Sequence, residues 1–339
     1  MKNFIDVTEK GNVDNFLVAL NENSFLIYSP TSMKKTNFVN CQNIYCLSTN
    51  KITKDVENIN QIMKNIPTNV EKIIAIGGGT AIDIGKFISS KLNKNLIAIP
   101  SMLSTNVYAT DKVALLINNN KTTLLAKSPD KIFVDYNYLK KSSVFNLYGL
   151  ADIFSIYTAL YDWNLAKTYN NEDINLKIYE EAQDLLTDTI YFIKNNTYDN
   201  IINQIEQIYY IVGKAGLITN NYGSGRPESG SEHILAKEIE KNINIHHGIS
   251  VSISIIIMSL IQQNSSKDIY DCLLKIKVLK DIKKYNITRN LLFNILKDLP
   301  VRKDRFSVVN LYNRDDDFIN HILDEYEKVI RGYNYVNNK

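Results

Sequence analysis

The segment Lys72–Ile76 reads Lys-Ile-Ile-Ala-Ile and runs without a break into Gly77-Gly78-Gly79-Thr80. An apolar run of strand length, closed by glycines and followed by a helical pattern from about Ala81 to Lys91, reads as strand, tight turn and helix. Glycines let the chain turn sharply and let a ligand approach the backbone. The free N–H groups at the helix start favour an anion, most often a phosphate. On the residues alone, a ligand-free turn and a phosphate cradle both stand. Asp83 lies in the first helical turn and Lys86 one turn later. The loop is not G-x-G-x-x-G, so the ordinary dinucleotide fingerprint does not apply.

This strand is one of several. Ser24–Tyr28, Ile44–Leu47 and Leu96–Ile99 also have strand character, and Val56–Ile66 has helical spacing. Strands alternating with helices imply a parallel sheet wound by right-handed crossovers. Beyond about Leu147 the pattern turns helical: Ile153–Lys167, Leu176–Lys194, Ile201–Leu217, Ile234–Glu240, Ile249–Gln263, Lys267–Lys284, Asn290–Lys297 and Asp316–Val329. At 339 residues the chain is long enough for two domains. The expectation is an α/β domain over 1–146 and a helical domain over 147–339.

With 45% apolar and 22% charged residues and a net charge of +3, the chain has a normal core-forming composition and no basic block for nucleic acid. The apolar stretch Ile249–Ile261 is too short to span a bilayer and suits a buried helix. No signal-peptide pattern is read at the N-terminus. Cys41, Cys46 and Cys272, an odd and scattered set, suit a reducing cytoplasm.

The chain has four histidines, and three of them, His233, His246 and His247, fall within fifteen residues. His233 closes Ser229-Gly230-Ser231-Glu232-His233 at a loop-to-helix start, and His247 precedes Gly248 at the start of the next apolar helix. Imidazoles at the ends of neighbouring helices can converge on a transition-metal ion. Two imidazoles and one carboxylate leave open coordination positions, as a catalytic metal needs. Spacing alone does not find the carboxylate. His246 is read as the bystander, because adjacent helical residues do not share a face.

Four segments resemble one superfamily, that of dehydroquinate synthases, glycerol dehydrogenases and iron-containing alcohol dehydrogenases, and within it the sn-glycerol-1-phosphate dehydrogenase branch. Ile76–Lys86 is similar to its GGGxxxDxxK nucleotide loop. Gly149-Leu150-Ala151-Asp152 resembles the segment that supplies a metal-binding aspartate, Arg226–His233 the more specific SGSEH signature, and His247-Gly248 the HG that supplies the third ligand. The resemblance runs from about residue 20 to about 265. It implies a dehydroquinate synthase-like fold, with a Rossmann-like NAD(P)-binding domain, a helical domain and an active site between them.

The resemblance also assigns residues. Asp152, His233 and His247 are the expected catalytic metal ligands, with zinc, nickel or iron as the ion. Without it, Asp152 would read as a helix N-cap beginning a helix after Gly149. Gly77, Gly78, Gly79, Thr80, Asp83, Ser101, Ser104 and Thr105 are the expected cofactor contacts, and Asn106 and Arg226 the expected substrate contacts. The cofactor is NAD or NADP, since Ser48-Thr49-Asn50 offers no acid to repel a 2′-phosphate. The implied reaction interconverts dihydroxyacetone phosphate and sn-glycerol-1-phosphate by hydride transfer. The alternatives are a polyol dehydrogenase, a dehydroquinate-synthase-like cyclase and a non-catalytic nucleotide-binding relative. The expected partner is a small phosphorylated polyol or ketone, in a homo-oligomer without nucleic acid or membrane. Two departures stand out. Asn106 replaces an acid usual in relatives, and Ile249 follows His247-Gly248 where many relatives carry Glu.

Overall fold

The computed structural model describes residues 3–38 and 44–336, with side chains as far as residue 331. Cys41 lies outside the described residues. Two compact units are present, one of Met1–Asn146 with Ile205–Asn220 and one of Leu147–Gln204 with Asn221–Lys339.

The first unit is built on a six-stranded parallel sheet. Its strands are β1 (Thr8–Lys10), β2 (Ser24–Tyr28), β3 (Tyr45–Ser48), β4 (Lys72–Gly77), β5 (Asn95–Pro100) and, after a hairpin of β6 (Lys112–Ile117) and β7 (Asn120–Leu125), β8 (Lys131–Val134). They run in the order β1-β8-β5-β4-β2-β3. Ile73, Ile74 and Ile76 of β4, and Leu26 and Ile27 of β2, are fully buried. Such continuous apolar runs are what a parallel sheet covered on both faces requires. The chain leaves β2 toward β3 and leaves β4 toward β5, in opposite directions along the sheet. The crevice at such a switch point, beyond the carboxyl ends of the strands, is where open α/β sheets bind ligands.

Four strands carry weaker sequence signals: β1, β8 and the two strands of the hairpin. The hairpin is antiparallel, with Ile117 opposite Asn120. Its two-residue turn, Asn118-Asn119, has φ of 50° and 62°. Asparagine tolerates this conformation better than most residues, so an Asn pair between strand-like runs is a turn signal. The Ile205–Tyr222 helix comes from the helical half of the sequence, yet its first sixteen residues belong to the first unit. Tyr209 stacks on Tyr108 at 4.9 Å between ring centroids. Asn220 accepts the Asp111 N–H and donates to the Ala109 carbonyl.

The second unit is helical. The His247–Ile261 helix runs through it with nearly every side chain buried. Its serines are accommodated locally. Ser252 and Ser254 donate to the carbonyls four residues back, of Gly248 and Ser250, and Ser259 shares a hydrogen bond with Tyr270. Among the described residues no helix is long and apolar enough to cross a membrane.

Candidate metal centre

Asp152 is not at a helix start. It is the penultimate residue of the Ser143–Ile153 helix, which continues through Gly149, and a new helix starts at Ser155. One glycine costs a helix only about 1 kcal/mol, and neighbouring Leu147, Leu150 and Ala151 are buried. The capping role expected from local sequence is therefore absent. The Asp152 Oδ1 atom is buried with no hydrogen-bond partner. An orphaned buried carboxylate oxygen is costly and calls for a cation.

His233 is the third residue of the Ser231–Asn242 helix. The helix start is fixed by two buried carboxylates. Asp162 Oδ2 accepts the Ser231 N–H at 2.6 Å, and Glu232 Oε1 accepts the Gly230 N–H at 2.6 Å. Burial and the neighbouring Glu232 charge push the Asp162 carboxyl up to about 6, against the N–H bonds it accepts from Val308 and Ser231. Gly230 is required here by proximity. A Cβ would lie 2.5 Å from Asp162 Oδ2 and 2.9 Å from Ala159 Cα. His247 opens the next long helix.

These elements bring the three expected ligands together. One ligand atom from each of Asp152, His233 and His247 lies within 4.8 Å of the others. His233 Nε2 is 3.5 Å and His247 Nε2 3.8 Å from Asp152 Oδ1. Bonds of 2.0–2.2 Å in a tetrahedron space their ligand atoms about 3.4 Å apart. The donor set thus fits a divalent cation of zinc size, and also nickel or iron. The electrostatics agree. Burial pushes the Asp152 carboxyl up, but the His233 and His247 imidazoles beside it outweigh that and hold it low. Burial also disfavours a charged His233, yet Asp152 and Glu232 raise its pKa to about 10. The surrounding carboxylates favour a positive charge at this point, which a proton or a metal ion can supply. His246 is outside this group and faces Tyr148, 5.5 Å between centroids.

Two carboxylates complete the centre. Glu232 Oε1 lies 2.8 Å from His233 Nδ1, and Glu240 Oε1 lies 2.5 Å from His247 Nδ1. Neither was singled out from sequence. A signal existed for Glu240: it lies seven residues after His233, two turns along one helix face.

In the first unit, Gly77 ends β4, and Gly78 caps the Gly79–Leu92 helix without a side-chain bond. The amides of Gly79, Thr80 and Ala81 have no intrahelical acceptor, as in any first helical turn. Gly78 and Gly79 are half-buried and Thr80 is exposed. A Cβ on Gly79 would be 3.7 Å from Thr105 Oγ1, so the half-buried Ser104-Thr105-Asn106 turn lies beside the loop. Lys86, fully buried, holds the chain after that turn by donating to the carbonyls of Val107 at 2.8 Å, Thr110 at 3.0 Å and Lys112.

Three expected contacts face inward instead. Asp83 is buried and ion-paired with Lys54 at 2.9 Å. Ser101 is fully buried, accepting from Ser32 Oγ and bonding through its N–H to the Gly77 carbonyl. Arg226, expected at a substrate phosphate, has its side chain 2% exposed, with Nε 2.9 Å from Glu172 Oε1. Its Nη2 donates to Glu172 Oε2 and to the carbonyls of Asp162 and Phe306. A guanidinium engaged this way braces the loop before His233; its Nη1 is buried with no hydrogen-bond partner, and the side chain as a whole is closed to solvent.

A family model described as iron-containing alcohol dehydrogenase matches residues 11–142. Glycerol-1-phosphate dehydrogenase [NAD(P)+] of Methanococcus aeolicus is 32% identical over 205 residues, 58% of this chain and 59% of that protein. The protein of the same name from Caldivirga maquilingensis is 26% identical over 282 residues, 78% of this chain and 79% of that protein. A solved structure, a probable glycerol dehydrogenase from Sinorhizobium meliloti 1021, shares the fold with a TM-score of 0.66 at 12% identity, covering 96% of each chain. The chain is thus similar in its first part to the iron-containing alcohol dehydrogenase family and, over a longer stretch, to glycerol-1-phosphate dehydrogenases. The match to the Methanococcus protein spans about three fifths of that protein's length.

Proposed function

We propose that this chain is a metal-dependent NAD(P) dehydrogenase that interconverts dihydroxyacetone phosphate and sn-glycerol-1-phosphate. The observation that carries the reading is the orphaned Asp152 Oδ1, facing His233 Nε2 and His247 Nε2 at 3.5 and 3.8 Å, in a chain that also carries a strand–triple-glycine–helix loop. Asp152, His233 and His247 hold the ion, which when bound polarises the substrate oxygen and stabilises negative charge on it.

The chain's own groups supply position. The first-turn amides at Gly79 and Thr80 receive the cofactor pyrophosphate. Ser104 and Thr105 line the same cofactor. Asn106 orients a substrate hydroxyl by hydrogen bonding, but its amide takes up no proton, so it is not the general base. The Ser48-Thr49-Asn50 turn after β3 carries no carboxylate, so either NAD or NADP is accepted. Hydride transfer itself belongs to the nicotinamide. The proposed setting is a reducing cytoplasm, which the odd and scattered cysteine set of the sequence suits.

A dehydrogenase of unphosphorylated polyols is the second reading, and one observation favours it: Arg226 is committed to Glu172 and to backbone carbonyls. Absorbance at 340 nm decides. Protein loaded with zinc, nickel or iron is assayed with dihydroxyacetone phosphate and NADH or NADPH, and in reverse with glycerol-1-phosphate and glycerol. Turnover of the phosphorylated pair supports the first reading, and turnover of glycerol alone the second. Cofactor binding without net redox change on any of them refutes both.

A further inference from the structure

The two carboxylates behind the imidazoles have no part in the ligand set, yet their placement is specific. Glu232 is completely buried. Its Oε1 accepts the Gly230 N–H and its Oε2 accepts the Thr158 hydroxyl at 2.7 Å. Glu240 Oε1 lies 2.8 Å from the Ser250 hydroxyl. Both carboxylates thus meet donors at these oxygens, which act as acceptors. An imidazole nitrogen 2.5–2.8 Å from such an oxygen must carry the hydrogen. In a neutral ring the other nitrogen then has a free lone pair. In both histidines the nitrogen facing glutamate is Nδ1, and the one facing Asp152 Oδ1 is Nε2.

We propose that Glu232 and Glu240 are positioning residues that keep a proton on Nδ1 of His233 and His247 and present both Nε2 atoms, beside Asp152, to a metal ion. The inference rests on the metal-centre reading above and deepens it. One helix does most of this work: Ser231–Asn242 carries His233, the carboxylate that orients it, and, two turns on, the carboxylate that orients the histidine of the next helix. Glu240 is also tied to that next helix through Ser250, so the orientation of His247 is set by a bridge between two helices. Partners that hydrogen-bond the far nitrogen of a ligand imidazole raise its basicity and restrict its rotation, and losing one typically weakens metal binding about 10–100-fold.

The test uses the full chain with zinc as probe. Zinc affinity is measured by competition with a chromophoric chelator for wild type, Glu240→Ala, Glu240→Gln and Glu232→Gln, and the histidine 15N shifts of the zinc-loaded proteins report the tautomer. Thermal unfolding of each metal-free protein checks folding. The expected result is zinc affinity lowered about 10–100-fold in Glu240→Ala. Glu240→Gln, which keeps an acceptor oxygen without the charge, falls between it and wild type. Wild-type shifts should show Nδ1–H and zinc-bound Nε2 on both rings, and Glu240→Ala should lose that pattern at His247. Glu240 is partly exposed, so this variant carries the test if Glu232→Gln fails to fold. Wild-type affinity and tautomer in Glu240→Ala overturn the inference while leaving the metal centre standing. A wild-type chain that binds no zinc, nickel or iron overturns the metal centre itself.

Discussion

Replacing Gly248 with alanine should separate the metal ligands while leaving the fold intact. A Cβ at this position would sit 2.5 Å from the carbonyl oxygen of Tyr148, 2.6 Å from its Cβ and 2.9 Å from its carbonyl carbon. Two of these atoms are backbone, so no side-chain rotation relieves the clash. Ordinary contact begins near 3.4 Å, so the two helices must part by about 0.9 Å. Gly248 adjoins His247, and Tyr148 lies one turn before Asp152 on the opposing helix, so the strain falls on that ligand pair. Their separation of 3.8 Å would open to about 4.7 Å. Two bonds of 2.0–2.2 Å span at most about 4.4 Å even in a straight line. No ion could then bond both. The overpacking should cost about 1–3 kcal/mol, partly offset by alanine's better helix propensity. That corresponds to a fall of a few degrees in Tm. Zinc affinity, read by chelator competition, should fall by at least about 100-fold, more than the loss of a group that merely supports a ligand. A Gly248→Ala protein that keeps wild-type zinc affinity would refute the claim that this backbone contact places His247.

Three further outcomes are expected. Arg226→Lys should lower unfolding stability by about 2 kcal/mol or more, since an ammonium cannot reproduce the guanidinium's set of bonds, while KM for a phosphorylated substrate stays within about threefold of wild type; a selective rise in KM would return Arg226 to the substrate. Burial holds the Lys86 ammonium at about 8, below its ordinary 10.5. Between those values the unfolded chain binds the proton and the folded chain does not, so stability attributable to Lys86 rises with pH across that window and is lost as pH falls through about 8. Urea unfolding at pH 7.5, 9 and 10 should therefore show wild type gaining on Lys86→Met, and a constant gap would contradict the burial argument. Finally, zinc at 100 times its Kd should stabilise wild type by about 2.7 kcal/mol and raise its Tm, whereas Asp152→Asn should show little or no zinc-dependent shift.

Periodicity and punctuation settle local structure, and here they sufficed for the central strands and most helices. The β2 strand and the Leu176–Lys194 helix run over the residues their patterns indicate, and β4 differs only by including Gly77. The loop-to-helix starts at His233 and His247 were likewise visible, because glycine and serine mark them. Asp152 was reachable only through resemblance. Its local context suggests a cap, and a carboxylate eighty-one residues before its partner histidine carries no spacing signal.

What the sequence determined by itself is the inventory: a parallel-sheet half, a helical half, a glycine turn after a buried strand, and two imidazoles at helix starts. These follow from forces acting within a few residues, namely backbone sterics, hydrogen bonding and the period of apolar side chains. Tertiary structure decided which polar groups face one another. It drew Ile205–Asn220 into the sheet unit, turned Asp83, Ser101 and Arg226 toward internal partners, and set Glu232 and Glu240 behind the imidazoles. A buried polar atom must find a partner wherever packing puts one, and that pairing depends on distances through space that no order of residues along the chain encodes directly.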